Sequence, residues 1–319
     1  MIKCVYCNSE VEKLDNYKLF AKEDAKFFGD LNLYGCLTCK LCFVAPMLTR
    51  NVLDEFYSTI YRDAARQQNY FDKPEQIDFT ALHNAQYCYI SQFVDFQKVK
   101  SVLDIGSGYG FLLREIRKKH PGIRLIAMDP DIANLKYLKN YNIEIIEGLF
   151  EDCHKNLLRE KPDLIIASHV VEHMTDPKIF FEISAKLLSE NGKIFFEVPN
   201  NNFNNNTFMN RAYDTPHLLF FTIPFLINLF SDLRLNIINI TTAGPLLDSA
   251  WDFMRARQNK TRDKKFLQGI KFYNMIKRFI PRRVKFGLRG FLGNNVICYD
   301  HYQYGGEDRS AIRGIISRI

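Results

Sequence analysis

No stretch of this 319-residue chain is long and apolar enough to span a bilayer. The longest apolar run, Leu218 to Phe230, is interrupted by Thr222, Pro224 and Asn228, well short of the ~20 residues a crossing needs. The sequence does not open on a charged segment followed by an apolar one, so no secretory leader is read and a cytoplasmic protein is expected. It shows no internal repeat. Without a leader, its eight cysteines argue against a disulfide framework and for thiolate chemistry. The dinucleotide fingerprint G-x-G-x-x-G is also missing, because Phe111 stands where its third glycine would fall. That speaks against a nicotinamide oxidoreductase.

What is present suits a globular protein. With 47% hydrophobic and 25% charged residues, the chain can build one large core and a small satellite domain. Its net charge of +7 is unevenly spread: residues 245–319 hold sixteen Lys or Arg against six acids, a net +10, leaving the rest at −3. Any anionic partner is expected to meet that tail. Within it, Phe266 to Phe286 mixes aromatics and aliphatics with cations at helical spacing, a pattern suited to an anionic membrane surface or a phosphorylated substrate. Peripheral membrane contact through 255–290 is therefore expected. Nucleic acid ranks below it, since no recognition motif accompanies the charge.

Four cysteines are paired informatively. Cys4-Val5-Tyr6-Cys7 and Cys36-Leu37-Thr38-Cys39 are two C-x-x-C knuckles separated by 28 residues, and each can clip one side of a tetrahedral Zn²⁺ ion. Four protein ligands leave no open position, so the expected metal is structural and does not touch the chemistry. A redox dithiol is the alternative, but the βαβ context of thioredoxin-like motifs is absent. Cys42 extends the second knuckle and could compete as a ligand, although Phe43 and Val44 beside it read as strand.

The chemistry-bearing stretch is Val102-Leu103-Asp104-Ile105-Gly106-Ser107-Gly108-Tyr109-Gly110, an apolar strand that ends on a carboxylate and breaks into alternating glycines. Glycines at such a turn let a ligand lie against bare backbone at a helix N-terminus. A second strand, Arg124 to Met128, delivers Asp129 about 20 residues later, where a carboxylate can accept ribose hydroxyls. Beyond it strands (143–147, 163–168, 193–198) alternate with helices (131–139, 177–189), which implies a parallel sheet covered on both faces. Segments 234–241 and 294–302 are expected to close it as an antiparallel pair, with 245–292 inserted between them.

These residues resemble motif I of the class I S-adenosylmethionine-dependent methyltransferases, acid-x-Gly-x-Gly-x-Gly, at Asp104, Gly106, Gly108 and Gly110. Two later segments are similar to the family's motif IV and fifth strand: Pro162 to Pro177, with Glu172-His173 and Asp176-Pro177, and Asn191 to Asn200. The resemblance implies a Rossmann-like α/β core behind a zinc ribbon (1–48) and a helical linker (49–98), the methyltransferase domain being 99–319. It implies a cofactor site of Asp104, Gly106, Ser107, Gly108, Gly110, Asp129, Pro130, Gly148, Leu149, Phe150, Ser168 and His169, with 148–150 bordering the adenine.

A hydroxyl acceptor calls for a base of near-neutral pKa, and His217 and His173 are the candidates. His217 is favoured because Tyr213-Asp214-Thr215-Pro216-His217 clusters polar groups beside the asparagine-rich loop 200–206, with Tyr213 and Asp214 at hand to support it. Ribbon and core together resemble bacterial sugar methyltransferases, including deoxysugar C-methyltransferases. Those carry a glutamate where this chain has Pro216, so O-methylation of a sugar, nucleotide-sugar or lipid-linked glycan is expected. From a different functional class, a non-catalytic cofactor- or nucleic-acid-binding protein would use the same ribbon and basic tail.

Overall fold

The computed structural model describes residues 2–19, 27–60, 80–150, 161–201, 212–213, 216–246 and 309–319. The basic stretch 255–290, the asparagines 202–206, Asp214 and the segment 294–302 lie outside these residues.

The ribbon is built first, from β1 (Val11–Leu19), β2 (Leu31–Cys36) and β3 (Cys42–Ala45), each antiparallel to the next. α1 (Arg50–Glu55) follows and turns Leu53 inwards, with Phe56 buried just beyond it. α2 (Thr80–Ile90) then leads into the alternating core: β4 (Ser101–Ile105), α3 (Phe111–Lys119), β5 (Arg124–Asp129), α4 (Ile132–Leu138) and β6 (Glu144–Glu147). After it come β7 (Leu164–Ser168), α5 (Pro177–Leu187) and β8 (Lys193–Pro199). Short strands β9 (Ala212–Tyr213) and β10 (Leu219–Phe220) precede α6 (Ile223–Asp232), β11 (Leu235–Leu246) and β12 (Arg309–Arg318). Local chemistry sets the ends: Asp176 caps α5 by accepting from the amides of Lys178 and Ile179, with Pro177 at the first helical position.

The core sheet has seven strands in the order β11-β12-β8-β7-β4-β5-β6, parallel except for β12, which runs antiparallel to both its neighbours. The strand that closes it against β11 is 309–318, not the expected 294–302. Its centre departs from a plain apolar pattern for physical reasons. Gly314 lies under the ring of Phe196, where a Cβ would come within 2.6 Å, and Arg313 faces Glu197 across the β8 pairing.

Strand alternation divides the core in two. One apolar cluster joins Leu103, Ile105, Met128, Ala167 and Val198 to α5, α6 and the ribbon; the other joins Val102, Leu125, Ala127, Ile166 and Phe195 to α2, α3 and α4. The ribbon sheet takes its outer strands from late in the chain, in the order β10-β3-β2-β1-β9. Leu219 pairs with Phe43 and Phe220 with Cys42. Further links fix the join: the Val44 amide donates to the Leu218 carbonyl (2.9 Å), the Thr222 hydroxyl to the Lys40 carbonyl (3.1 Å), and Tyr6 packs edge-on to Phe225 and hydrogen-bonds Asp232.

The turn from β4 into α3 shows why glycine is needed there. Gly106 has φ +66°, and a Cβ on it would fall 2.3 Å from Cγ2 of Val170. Gly106→Ala is expected to destabilise the protein by about 1–3 kcal/mol, read as a lowered denaturant midpoint at unchanged slope. An unchanged midpoint would show that the loop relaxes freely. Gly108, by contrast, has nothing within 4 Å of the corresponding position, so its backbone stands open.

Candidate active site

Beyond the carboxyl ends of β4, β5, β6, β7 and β8, where ligands of such sheets bind, the structure gathers most of the residues expected from sequence. Asp129 ends β5, accepting at one oxygen from the amide of Gly108 and at the other from that of Asp131, both at 2.8 Å. It thus ties the glycine turn to the following loop. Asp104 is buried near the end of β4, and burial, assisted by the charge of Asp129, pushes its carboxyl well above the usual range. The hydroxyl of Ser107 is buried without a hydrogen-bond partner among the described residues. Pro130 follows Asp129 directly, and Gly148, whose amide donates to the Asp129 carbonyl (3.2 Å), follows β6.

Phe150 departs from expectation. Its ring is buried against Phe180 at 5.2 Å, committed to the core beside α5, so only half-buried Leu149 remains at the rim. Tyr213 enters the structure only as part of β9, which pairs with Leu19.

Past β7, the chain makes a tight turn through His169, which adopts φ +56°, into a single helical turn, Val171–His173. Ser168 accepts from the side-chain amide of Gln86, which also donates to Glu197 (2.9 and 3.1 Å). His169 places its two ring nitrogens against two buried carboxylates, Glu172 at 3.3 Å and Glu197 at 3.5 Å. Burial of those nitrogens opposes protonation, but the hydrogen bonds and charges of the carboxylates outweigh it and raise the imidazole to about 10. The two carboxylates thus favour the protonated imidazole, whose side chain remains 45% exposed.

Glu197 is also held by Arg313 at 2.6 Å, and both are buried. Although burial alone would raise it, Arg313, His169 and Gln86 keep Glu197 well below the usual carboxylate range. Arg313 is accordingly no part of a basic surface, a correction to the reading of the tail. His83 completes this wall, hydrogen-bonding Gln86 at 2.9 Å and stacking on Phe111 at 5.4 Å; burial lowers it to about 4. The sequence reading missed His83, Gln86, Glu197 and Arg313, because α2 looked like a packing helix and the cross-strand register of β12 was not visible.

The histidines proposed as bases come together. The rings of His173 and His217 lie 4.9 Å apart at 77°, and the ring nitrogen Nδ1 of His173 donates to the carbonyl of Pro216 (3.1 Å). The Leu218 amide donates to the Glu172 carbonyl (2.8 Å), so segment 216–218 is laced to the Glu172-His173 turn on one side and to β3 on the other. Both imidazoles are pushed down by desolvation, His217 to about 3 with His173 as its second cause. Desolvation thus favours the neutral form of each ring, the form that carries a lone pair.

At the far end of the ribbon, Cys4, Cys7, Cys36 and Cys39 bring their sulfurs within 4.8 Å of one another, with Cys4–Cys39 at 3.6 Å and Cys7–Cys36 at 3.4 Å. A tetrahedron of Zn–S bonds near 2.3 Å has edges of about 3.8 Å, so the set fits the ion. Cys42 lies apart in β3, fully buried, its thiol pushed up to about 12 by burial.

Residues 83–240 match a family model described as a methyltransferase domain. Over 134 residues the chain is 25% identical to a ubiquinone biosynthesis O-methyltransferase of Hydrogenovibrio crunogenus, covering 40% of this chain and 56% of that protein. It is 34% identical over 124 residues to the Coxiella burnetii protein of the same name, covering 36% and 50%. The chain thus spans about half the length of these relatives. Among solved structures, a methyltransferase from Thermotoga maritima described as a possible histamine N-methyltransferase aligns with a TM-score of 0.50 at 11% identity, covering 83% of this chain and all of that one. At that identity the likeness speaks to the fold, which is the Rossmann-like fold of methyltransferases. Among the described residues, no helix is long and apolar enough to cross a membrane.

Proposed function

We propose that this chain, which carries a class I methyltransferase domain, transfers the methyl group of S-adenosylmethionine to a hydroxyl of a small-molecule acceptor of the sugar, nucleotide-sugar or glycan class. The observation that carries the reading is that the glycine turn, where Gly106 lies against Val170, abuts the turn that carries Glu172 and His173, with His217 beside them. Asp104 and the backbone at Gly106, Gly108 and Gly110 would hold the amino acid end of the cofactor, Asp129 and Pro130 its ribose, and Gly148 and Leu149 its adenine. The Ser107 hydroxyl supplies a further polar group in need of a partner. Ser168 and His169 would lie under the methionine part. The bound cofactor supplies an activated methyl; the protein must align the acceptor oxygen with the S–CH₃ bond and see its proton removed.

Oxygen is the favoured acceptor atom. The two ubiquinone-biosynthesis relatives are named as O-methyltransferases, and the glutamate that the sugar C-methyltransferase resemblance implies is replaced by Pro216. The sugar class rests on the pairing of a four-cysteine ribbon with this core. Within that ribbon, Cys4, Cys7, Cys36 and Cys39 would hold one structural Zn²⁺.

The test has two parts. Calorimetry is expected to show S-adenosylhomocysteine binding to the wild type, weakened about 10- to 100-fold in Asp129→Ala, since a ribose hydroxyl pair left without its charged partner costs about 1–3 kcal/mol. Labelled S-adenosylmethionine with a panel of nucleotide-sugars, glycans and phenols then identifies the acceptor by a gain of one methyl. Absence of wild-type binding, or NADH binding in its place, overturns the reading.

A further inference from the structure

We propose that Glu172, His173 and His217 form a divalent transition-metal site on the acceptor side of the cleft, which captures two adjacent hydroxyls of the acceptor and acidifies the one to be methylated. The inference rests on the methyltransferase reading above and names how that site would recognise its substrate.

Three observations carry it. Glu172, His173 and His217 each present a ligand atom, all within 4.8 Å of one another. Donors around an ion at bonds near 2.1 Å stand about 3.4 Å apart in a tetrahedron, so side-chain rotations of roughly an ångström close the set. Glu172 is fully buried and its Oε1 meets His169, yet Oε2 has no hydrogen-bond partner among the described residues. A buried carboxylate oxygen left unmatched is costly, and a cation is the partner that would satisfy it best. Finally, the Nδ1 of His173 is spent on the Pro216 carbonyl, which can only accept, so the proton sits there and Nε2 carries the lone pair. A backbone carbonyl that fixes the tautomer in this way is the usual outer support of a metal-bound histidine.

The ligand set narrows the ion and the acceptor. Two imidazoles and a carboxylate favour zinc, iron, cobalt or manganese over magnesium or calcium, which prefer oxygen alone. Three protein donors leave coordination positions open, as catalytic sites require. Two adjacent sugar hydroxyls can fill such positions as a chelate. The metal would then polarise one O–H bond. As the oxygen forms its bond to the methyl carbon, the S–C pair stays on sulfur, giving a neutral thioether, and the hydroxyl proton leaves to water. Neither histidine need hold it.

Cobalt titration of the full chain, with zinc already filling the cysteine site, separates the two metals. The expected result is one Co²⁺ per chain with weak visible d–d absorption and no thiolate charge-transfer band. Glu172→Gln and His217→Ala are expected to weaken that binding roughly 10- to 100-fold or more. S-adenosylhomocysteine binding, measured in the same samples, reports folding. His217→Asn, which keeps a polar side chain of modest size, serves should alanine fail it. No cobalt uptake by protein that still binds S-adenosylhomocysteine overturns the metal site alone, as does uptake unchanged in both variants. Loss of S-adenosylhomocysteine binding from the wild type overturns the reading beneath it.

Discussion

His217→Ala is expected to lower kcat by about 10²–10⁴ while S-adenosylmethionine affinity changes little, because assistance to proton loss is worth that much when a hydroxyl is methylated. The side chain lies half-buried beside His173 and is not among the residues assigned to the cofactor. Its partners make the experiment discriminating. If His217 acts as a lone base, Glu172→Gln, which keeps the shape of this buried side chain and an acceptor for His169, should cost far less than His217→Ala. If the three residues share a metal ion, Glu172→Gln should lose turnover almost as heavily, and the double variant should be little worse than either single one, because groups that act as a unit are not additive. Steady-state kinetics on the acceptor found by the panel, with calorimetry for the cofactor, reads both results. Full turnover in His217→Ala would remove the cluster from the chemistry and leave a purely positional mechanism.

Which parts of this site could be read beforehand follows from how local they are. Asp104, the three glycines and Asp129 lie within 26 residues, on two strands and one turn whose periodicity is plain in the sequence. The four cysteines announce themselves by spacing alone. The buried network around His169 could not be read this way, because its members are distant in sequence. Gln86 comes from α2, Glu197 from β8 and Arg313 from β12, and only the register of β12 on β8 sets Arg313 opposite Glu197. Counted along the sequence, Arg313 is one more tail cation; in the fold it neutralises a carboxylate in the sheet. Strand β12 was misplaced for a related reason, since a glycine under Phe196 and a buried arginine break the apolar pattern by which a strand is recognised. Phe150 shows the converse limit: motif position predicted its neighbourhood, but not that its ring would turn onto Phe180.

Cys36→Ser is expected to empty the ribbon of zinc and, through it, to slow the reaction. Structural zinc contributes on the order of 10–16 kcal/mol in small domains that depend on it. If even a few kcal/mol of that are lost, Tm falls by on the order of 10 °C, at about 2–4 °C per kcal/mol. The sequence alone suggests a metal that stays clear of the chemistry, but the hydrogen bonds of the fold argue for a connection. Cys36 ends β2, β2 pairs with β3, and β3 pairs with Leu219 and Phe220 while its Val44 amide holds the carbonyl of Leu218, the residue after His217. Loosening the ribbon therefore releases one side of the strap that seats His217, while the Asp104 to Asp129 region keeps its own sheet contacts. The expected signature is about one zinc fewer per chain, a lower Tm and a reduced kcat, with S-adenosylhomocysteine affinity close to that of the wild type. Wild-type protein that carries no zinc would refute the metal assignment. A variant that loses zinc yet turns over at the full rate would show that the strap holds His217 without the ribbon.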